Sequence, residues 1–179
     1  MVPDLDPPAL IGPEYCRIMA RYNQWMNERL YALCAGLPDG ERKHDRGAFF
    51  GSIHGTLNHL LWGDRMWMGR IAGPPCTYPS FGADMFADFA ELRRERVATD
   101  RAMLDWSDRA SAEWLDSAIE YASRVDGKKR RLSGGVAAMH MFNHGTHHRG
   151  QLTTLLKQAG ADPGITDLPW LPGLVETID

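Results

Sequence analysis

Four long stretches of this 179-residue chain repeat their apolar residues at steps of three and four, a period that allows little other than a bundle of amphipathic helices. From Glu14 to Ala35 the repeating positions include Ile18, Tyr22, Trp25, Met26, Leu30 and Leu33, and Gly36 and Pro38 supply the stop. After the polar linker PDGERKHDRG a second helix is expected over about Phe49 to Ala72, carried by Ile53, Leu57, Leu60, Leu61, Trp67, Met68 and Ile71. The run GPPCTYPSFG breaks the chain. A third helix from about Asp84 to Ala110 is rich in charge and carries one apolar stripe, the pattern of an outer helix. Between Leu115 and Leu132 the turn dipeptide Asp126-Gly127 is flanked by short mixed runs, which predicts a small hairpin. Ser133 can cap a last helix from Gly134 to about Ala159, ended by Gly160, and the Pro-rich tail should follow as an irregular strap. The expected fold is all-α, an antiparallel four-helix bundle with a possible hairpin before the last helix, formed by residues 1–179 as one domain.

Within the last helix, HMFNHGTHH gathers four of the chain's seven histidines: His140, His144, His147 and His148. Residues four apart differ by only about 40° around a helix, so His144 and His148 can approach one ion from one face. Spacing alone equally permits His140 with His144, or His144 with His147. The apolar stripe chooses between them. With Met141 as reference, Ala137, Leu152 and Leu155 lie within about 40°, His148 at about 20° and His144 at about 60°, against about 100° for His140 and about 120° for His147. Two inward-facing imidazoles on successive turns would both lose water without a partner, which makes a metal the economical explanation. Gly145 stands where a helical metalloprotease motif has its Glu, so a protease reading lacks its general base. Gln151 lies close beside the pair and is a candidate to orient a ligand or to face substrate.

A third ligand must come from another helix, and the second offers His54 and His59. Periodicity does not decide, because each lies about 100° to 120° from the apolar stripe, on opposite flanks. His59 shares its flank with the small residues Thr56 and Gly63, which would let another helix approach closely.

Composition narrows the function classes. A net charge of -3, with 20 Lys and Arg scattered among 23 acids, offers no basic face for a phosphate backbone, so no nucleic-acid partner is expected. No stretch has the roughly 20 apolar residues of a membrane span, and the acidic, Pro-rich start lacks the basic region of a secretory signal. The three cysteines show no metal-ligand spacing and suit a reducing cytoplasm, with Cys16 and Cys34 as small core residues and Cys76 as a loop thiol. Large apolar groups including Trp25, Trp106 and Trp114 exceed what one narrow stripe can absorb, which predicts a homodimer.

The segments GTLNHLLWGDRMW, Gly55 to Trp67, and HMFNHGTHHRGQL, His140 to Leu152, resemble the two hallmark segments of the DinB or DUF664 family. RYNQWMNERL near the start and KQAGADPGITDLPW near the end also match, so the resemblance covers nearly the whole chain. It implies a four-helix bundle with one divalent metal held by three histidines, which fall at His59, His144 and His148; His54 is then incidental. Imidazole ligation suits Zn, Ni or Fe, with Zn favoured. Asp64, in the first hallmark segment, is expected to serve structure by pairing with a buried donor such as Arg149, a Trp or a backbone amide. Relatives in the wider superfamily imply thiol-dependent S-transfer on small molecules, with Arg149 available to hold a carboxylate of the thiol. A metal-assisted hydrolase and a non-catalytic metal-binding or stress-response bundle are the alternatives.

Overall fold

The computed structural model describes residues 10–73, 83–123, 126–176 and 178. Four long helices carry the fold: α1 (Pro13–Ala35), α3 (Ile53–Ile71), α4 (Phe89–Arg109) and α6 (Gly134–Gln158). Two single-turn helices, α2 (Asp39–Lys43) and α5 (Ala112–Asp116), sit in connections, and β1 (Ala118–Ala122) pairs antiparallel with β2 (Lys129–Ser133) as a hairpin leading directly into α6. Cys76 lies outside the described residues.

Helix ends show where local chemistry overrode the apolar period. α3 starts four residues after the expected Phe49, because residues 48–51 close a tight turn and Ser52 then caps the helix by accepting from the Gly55 amide at 3.0 Å. The expected start of the third helix at Asp84 also moves, to Phe89. Asn58 Oδ1 accepts from the amides of Met85 and Phe86 at 2.8 and 2.9 Å, so these donors are already satisfied outside the helix, and Asp88 caps the helix proper. At the other end of the fold Ser133 caps α6 as expected. Gly160, at φ 79°, turns the chain left-handed while the Ala161 amide reaches back to Leu156 O at 2.9 Å.

Side-chain contacts set the helix directions. Along α3 from His59 to Trp67 the α6 partners run backwards from His148 to His140, so these helices are antiparallel. From Asn58 to Arg65 the α4 side runs forwards from Phe86 to Thr99, so α3 and α4 are parallel. Tyr31 meets Phe89 while Asn23 meets Asp100, which makes α1 antiparallel to α4. Two helices therefore run each way. The strap after α6 lies over α1, whose Arg29 donates to the carbonyls of Ile165 and Pro163 and whose Tyr22 donates to Thr166.

Apolar packing falls into two clusters, one around Met26, Leu30, Leu57, Leu61, Leu92 and Leu156, the other around Ala20, Trp67, Met103, Trp106, Met141 and Phe142. Between their heights lies a buried polar layer. Arg96 Nη1 donates to Asp64 Oδ2 at 2.7 Å, with both residues 2% exposed, and Arg96 Nη2 lies 2.9 Å from Asp100 Oδ1. Asn23 and Asn27 of α1 both donate to Asp100, and Arg149 of α6 donates to Asn23 Oδ1. Asp64 thus has a structural partner, but it is Arg96 rather than Arg149 or a Trp. The charge-rich sequence of α4 reads as solvated, whereas Arg96 is turned fully inward.

No described helix is long and apolar enough to cross a membrane. Of the indoles that suggest a second copy, Trp106 is buried against Trp114 and Phe142, whereas Trp114 and Trp25 are half-buried, Trp25 lying against Tyr22 and Arg29. The polar layer should dominate stability changes. Asp64→Ala is expected to lower the unfolding free energy by about 3–5 kcal/mol by stripping a partner from a buried guanidinium. Glu14→Ala, which removes an exposed pair with Arg17, should cost less than about 1 kcal/mol. Urea unfolding measures both, and equal small losses would show that the layer does not carry this weight.

Candidate metal centre

His59 is on α3 and His144 and His148 are one turn apart on α6, so the antiparallel contact between these helices brings all three imidazoles together. His59 Nε2 lies 3.1 Å from His144 Nε2 and 3.1 Å from His148 Nε2, and one ligand nitrogen from each ring falls within 4.8 Å of the others. A tetrahedral ion with metal–nitrogen bonds of about 2.0–2.1 Å separates its nitrogens by about 3.3 Å, so the spacing fits a single small divalent cation. Among the described residues this is the one group of His, Cys, Asp and Glu side chains arranged to hold a metal.

Each ring is held by its surroundings. Phe50 stacks on His59 with ring centres 3.7 Å apart, and Trp62 stacks on it at 5.7 Å. His148 Nδ1 lies 2.8 Å from Gln151 Oε1, which selects the tautomer with the proton on Nδ1 and a lone pair on Nε2. Gln151 also lies 3.3 Å from His147, so it orients a ligand ring rather than standing alone in the cavity. His144 rests directly on the α3 backbone at Gly63, where an added Cβ would come within 2.3 Å of Cε1. Only glycine permits that approach.

Burial keeps the cluster neutral. Desolvation, reinforced by the nearby His148, pushes both His59 and His144 down to about 3, and desolvation also lowers His148 despite the opposing hydrogen bond that it donates to Gln151. Unprotonated imidazoles are the form that binds a metal.

The other histidines have different places. His54 is buried and its Nε2 lies 2.8 Å from Phe86 O, where it helps anchor the segment before α4. His140 is exposed and packs on Trp67 at 4.6 Å, and the exposed His147 sits beside His148. Arg149 is only 3% exposed and turns towards α1, where it borders a separate cavity of about 420 Å³ between α1, α6 and the strap. It is therefore not part of the wall over the histidines, and the carboxylate-holding role expected for it there has no geometric basis.

That wall encloses an open cavity of about 780 Å³ with the three histidines in its lining. Phe50, Trp62, Met66, Trp67, Arg70 and Tyr121 supply most of its character, and none of them is among the site residues expected from sequence. A signal existed: His59, Trp62, Met66 and Arg70 recur at three- and four-residue steps and form a second stripe on α3, beside the core stripe.

The DinB family matches residues 14–176 of the chain. Protein DinB of Bacillus subtilis (strain 168) is 25% identical over 151 residues, covering 82% of this chain and 87% of that relative. The crystal structure of a DinB-like protein from Bacillus cereus ATCC 10987 superposes with a TM-score of 0.58 over 79% of this chain and 91% of that one, at 16% identity, a likeness of fold.

Replacing His144 or His148 by Ala should abolish tight metal binding while His147→Ala retains it, and Gly63→Ala should weaken it by about ten-fold or more by displacing His144. Chelator competition reads all four; a tightly binding Gly63→Ala protein would sink the close-approach argument. A pH dependence also follows. Because the folded values of His59 and His144 lie below the ordinary 6.5, the unfolded chain binds more protons between about 6.5 and 3. Metal-free protein should lose stability as pH falls through that window, and His144→Ala should flatten the slope.

Proposed function

The chain belongs to the DinB family, and from that premise we propose that its three-histidine centre holds one divalent ion, zinc ahead of nickel or iron, and serves thiol-dependent S-transfer to a small electrophile. The observation that carries this reading is the chemistry of the cavity. Three neutral imidazoles share its lining, and among the described lining residues there is no Asp or Glu to act as the general base that hydrolysis would want. Asp64, the nearest carboxylate in sequence to a ligand, is tied into the ion pair with Arg96.

A divalent cation bound there supplies Lewis acidity that lowers the pKa of a coordinated thiol, so that thiolate forms at neutral pH without a protein base. The chain's own contribution is to hold and shield. His59, His144 and His148 present uncharged Nε2 atoms, Gln151 fixes the His148 tautomer, and Phe50 and Trp62 cover His59 and keep water from its faces. An exogenous thiol is taken as the nucleophile, because neither described cysteine can serve. Cys16 and Cys34 are buried, and burial pushes their thiols up to about 11 and about 12, far from thiolate at neutral pH. In the transfer the sulfur lone pair forms a carbon–sulfur bond, the leaving group departs with its electron pair, and the thiol proton passes to solvent.

Cobalt-substituted protein should develop a sulfur-to-metal charge-transfer band on addition of a low-molecular-weight thiol, with no band in His144→Ala. If cellular thiols leave the cobalt spectrum unchanged while simple esters are hydrolysed without thiol, a metal-assisted hydrolase replaces this reading; if neither occurs, a non-catalytic metal-binding bundle does.

A further inference from the structure

Opposite His144 and His148, α6 carries Thr146, Arg149, Gly150 and Thr153 at steps of three and four, and this stripe borders the cavity of about 420 Å³ shared with α1 and the strap. Arg149 is buried there, yet among the described residues it makes no ion pair. Its Nη1 donates to Asn23 Oδ1 and its Nη2 to Thr146 Oγ1 at 3.3 Å, while its Nε has no hydrogen-bond partner. Both acceptors are neutral oxygens, and a guanidinium has five N–H groups to place.

Arg96, in the same polar layer, shows a guanidinium that is matched. Burial opposes the charge of both groups. At Arg96 the adjoining Asp100 and Asp64 carboxylates overcome it and hold the group above its usual value, whereas at Arg149 burial prevails over the more distant carboxylates and holds it below. Arg149 reaches Asp100 only through the amide of Asn23. A buried cation so placed gains most from a negatively charged acceptor, and the planar edge of a carboxylate fits a guanidinium.

The remaining lining decides what can carry that carboxylate. Met19, Met26 and Leu168 offer an apolar wall, and Gly150 keeps space open, since a Cβ there would meet nothing within 4 Å. The hydroxyls of Thr146, Thr153 and Tyr22 spend their protons on the carbonyls of Phe142, Gly150 and Thr166, so Arg149 is the one cation of the described lining. Asp167, exposed on the strap, is its one acid and repels a further negative group. The volume suits a small ligand.

We propose that this cavity is a second binding site, for a small monocarboxylate with an apolar body, in which Arg149 seats the carboxylate and Asp167 turns away a second anionic group. It stands apart from whatever chemistry the histidines perform.

The test uses the zinc-loaded full-length chain and three probes of equal length, octanoate, octan-1-ol and octanedioate. Calorimetry reads affinity, and amide chemical shifts in nuclear magnetic resonance read location. Octanoate should bind at least about ten-fold more tightly than octanol and shift Gly150, Thr153 and Thr166 rather than the amides around His144. Octanedioate should bind about three-fold or more weakly than octanoate, and Asp167→Asn should close that gap. Thr153→Trp fills the cavity from a partly buried position and should abolish octanoate binding there, with circular dichroism and zinc content unchanged. Arg149→Gln should bring acid and alcohol level; if the loss of its tie to α1 prevents folding, the Thr153 and Asp167 variants decide the matter. Equal affinity for octanoate and octanol, binding of neither, shifts confined to the histidine cavity, octanoate binding that survives in Thr153→Trp, or octanedioate binding as tightly as octanoate would each overturn the proposal.

Discussion

Arg96 sits at the centre of the bundle with a carboxylate on either side, Asp64 from α3 and Asp100 from its own helix. Two asparagines of α1 complete Asp100, and one of them accepts from Arg149 of α6, so all four long helices meet in one polar layer. Such a layer gains little over a well-packed apolar one in free energy, but losing a charged member leaves a buried charge short of a partner. Its effect is to penalise every rotation of the helices except one. Asp64 points towards α4, and Gly63, one residue earlier and about 100° round the helix, then faces α6. The glycine that receives His144 and the carboxylate that receives Arg96 are thus consecutive residues, each committed to a different neighbour.

The metal centre follows from that rotation. α3 lies against α6 closely enough for an imidazole to rest on its backbone, and His59, one turn earlier on α3, meets the two α6 rings at hydrogen-bonding distance. Burial then does chemical work. It makes protonation of His59 and His144 unfavourable far below neutral pH, so the cluster offers lone pairs rather than charges. It also leaves the endogenous Cys16 and Cys34 thiols protonated. The same environment thus prepares a metal ligand set and excludes these cysteines as nucleophiles.

α3 and α4 pack in parallel, and buried polar side chains secure the short segment that leads into α4. His54 and Asn58, neighbours on one face of α3, both engage Phe86, the first through its carbonyl and the second through carbonyl and amide. A histidine with no place in the metal centre is therefore still structural. On the opposite side, Arg21, Tyr22 and Arg29 of α1 hold the strap after α6. The hallmark stretches of sequence combine such ties with the ligands, which is why a motif match alone does not sort one from the other.

Local pattern determined much of this protein by itself. The three- and four-residue apolar period marked the four long helices, Asp126-Gly127 marked the hairpin, Ser133 and Gly160 marked the ends of α6, and the wheel of α6 turned His144 and His148 inward. Each depends on residues near in sequence, where a rise and a rotation per residue suffice. Tertiary structure decided what those rules cannot reach. It separated His59 from His54, which the period of α3 left on equal flanks, by placing one against α6 and the other against the segment before α4. It paired Asp64 with Arg96, turned Arg149 away from the histidines, and delayed α3 and α4 by satisfying backbone amides from elsewhere. The reason is the same in every case: helical periodicity states which way a side chain points, and only the packing of a second helix states what it meets.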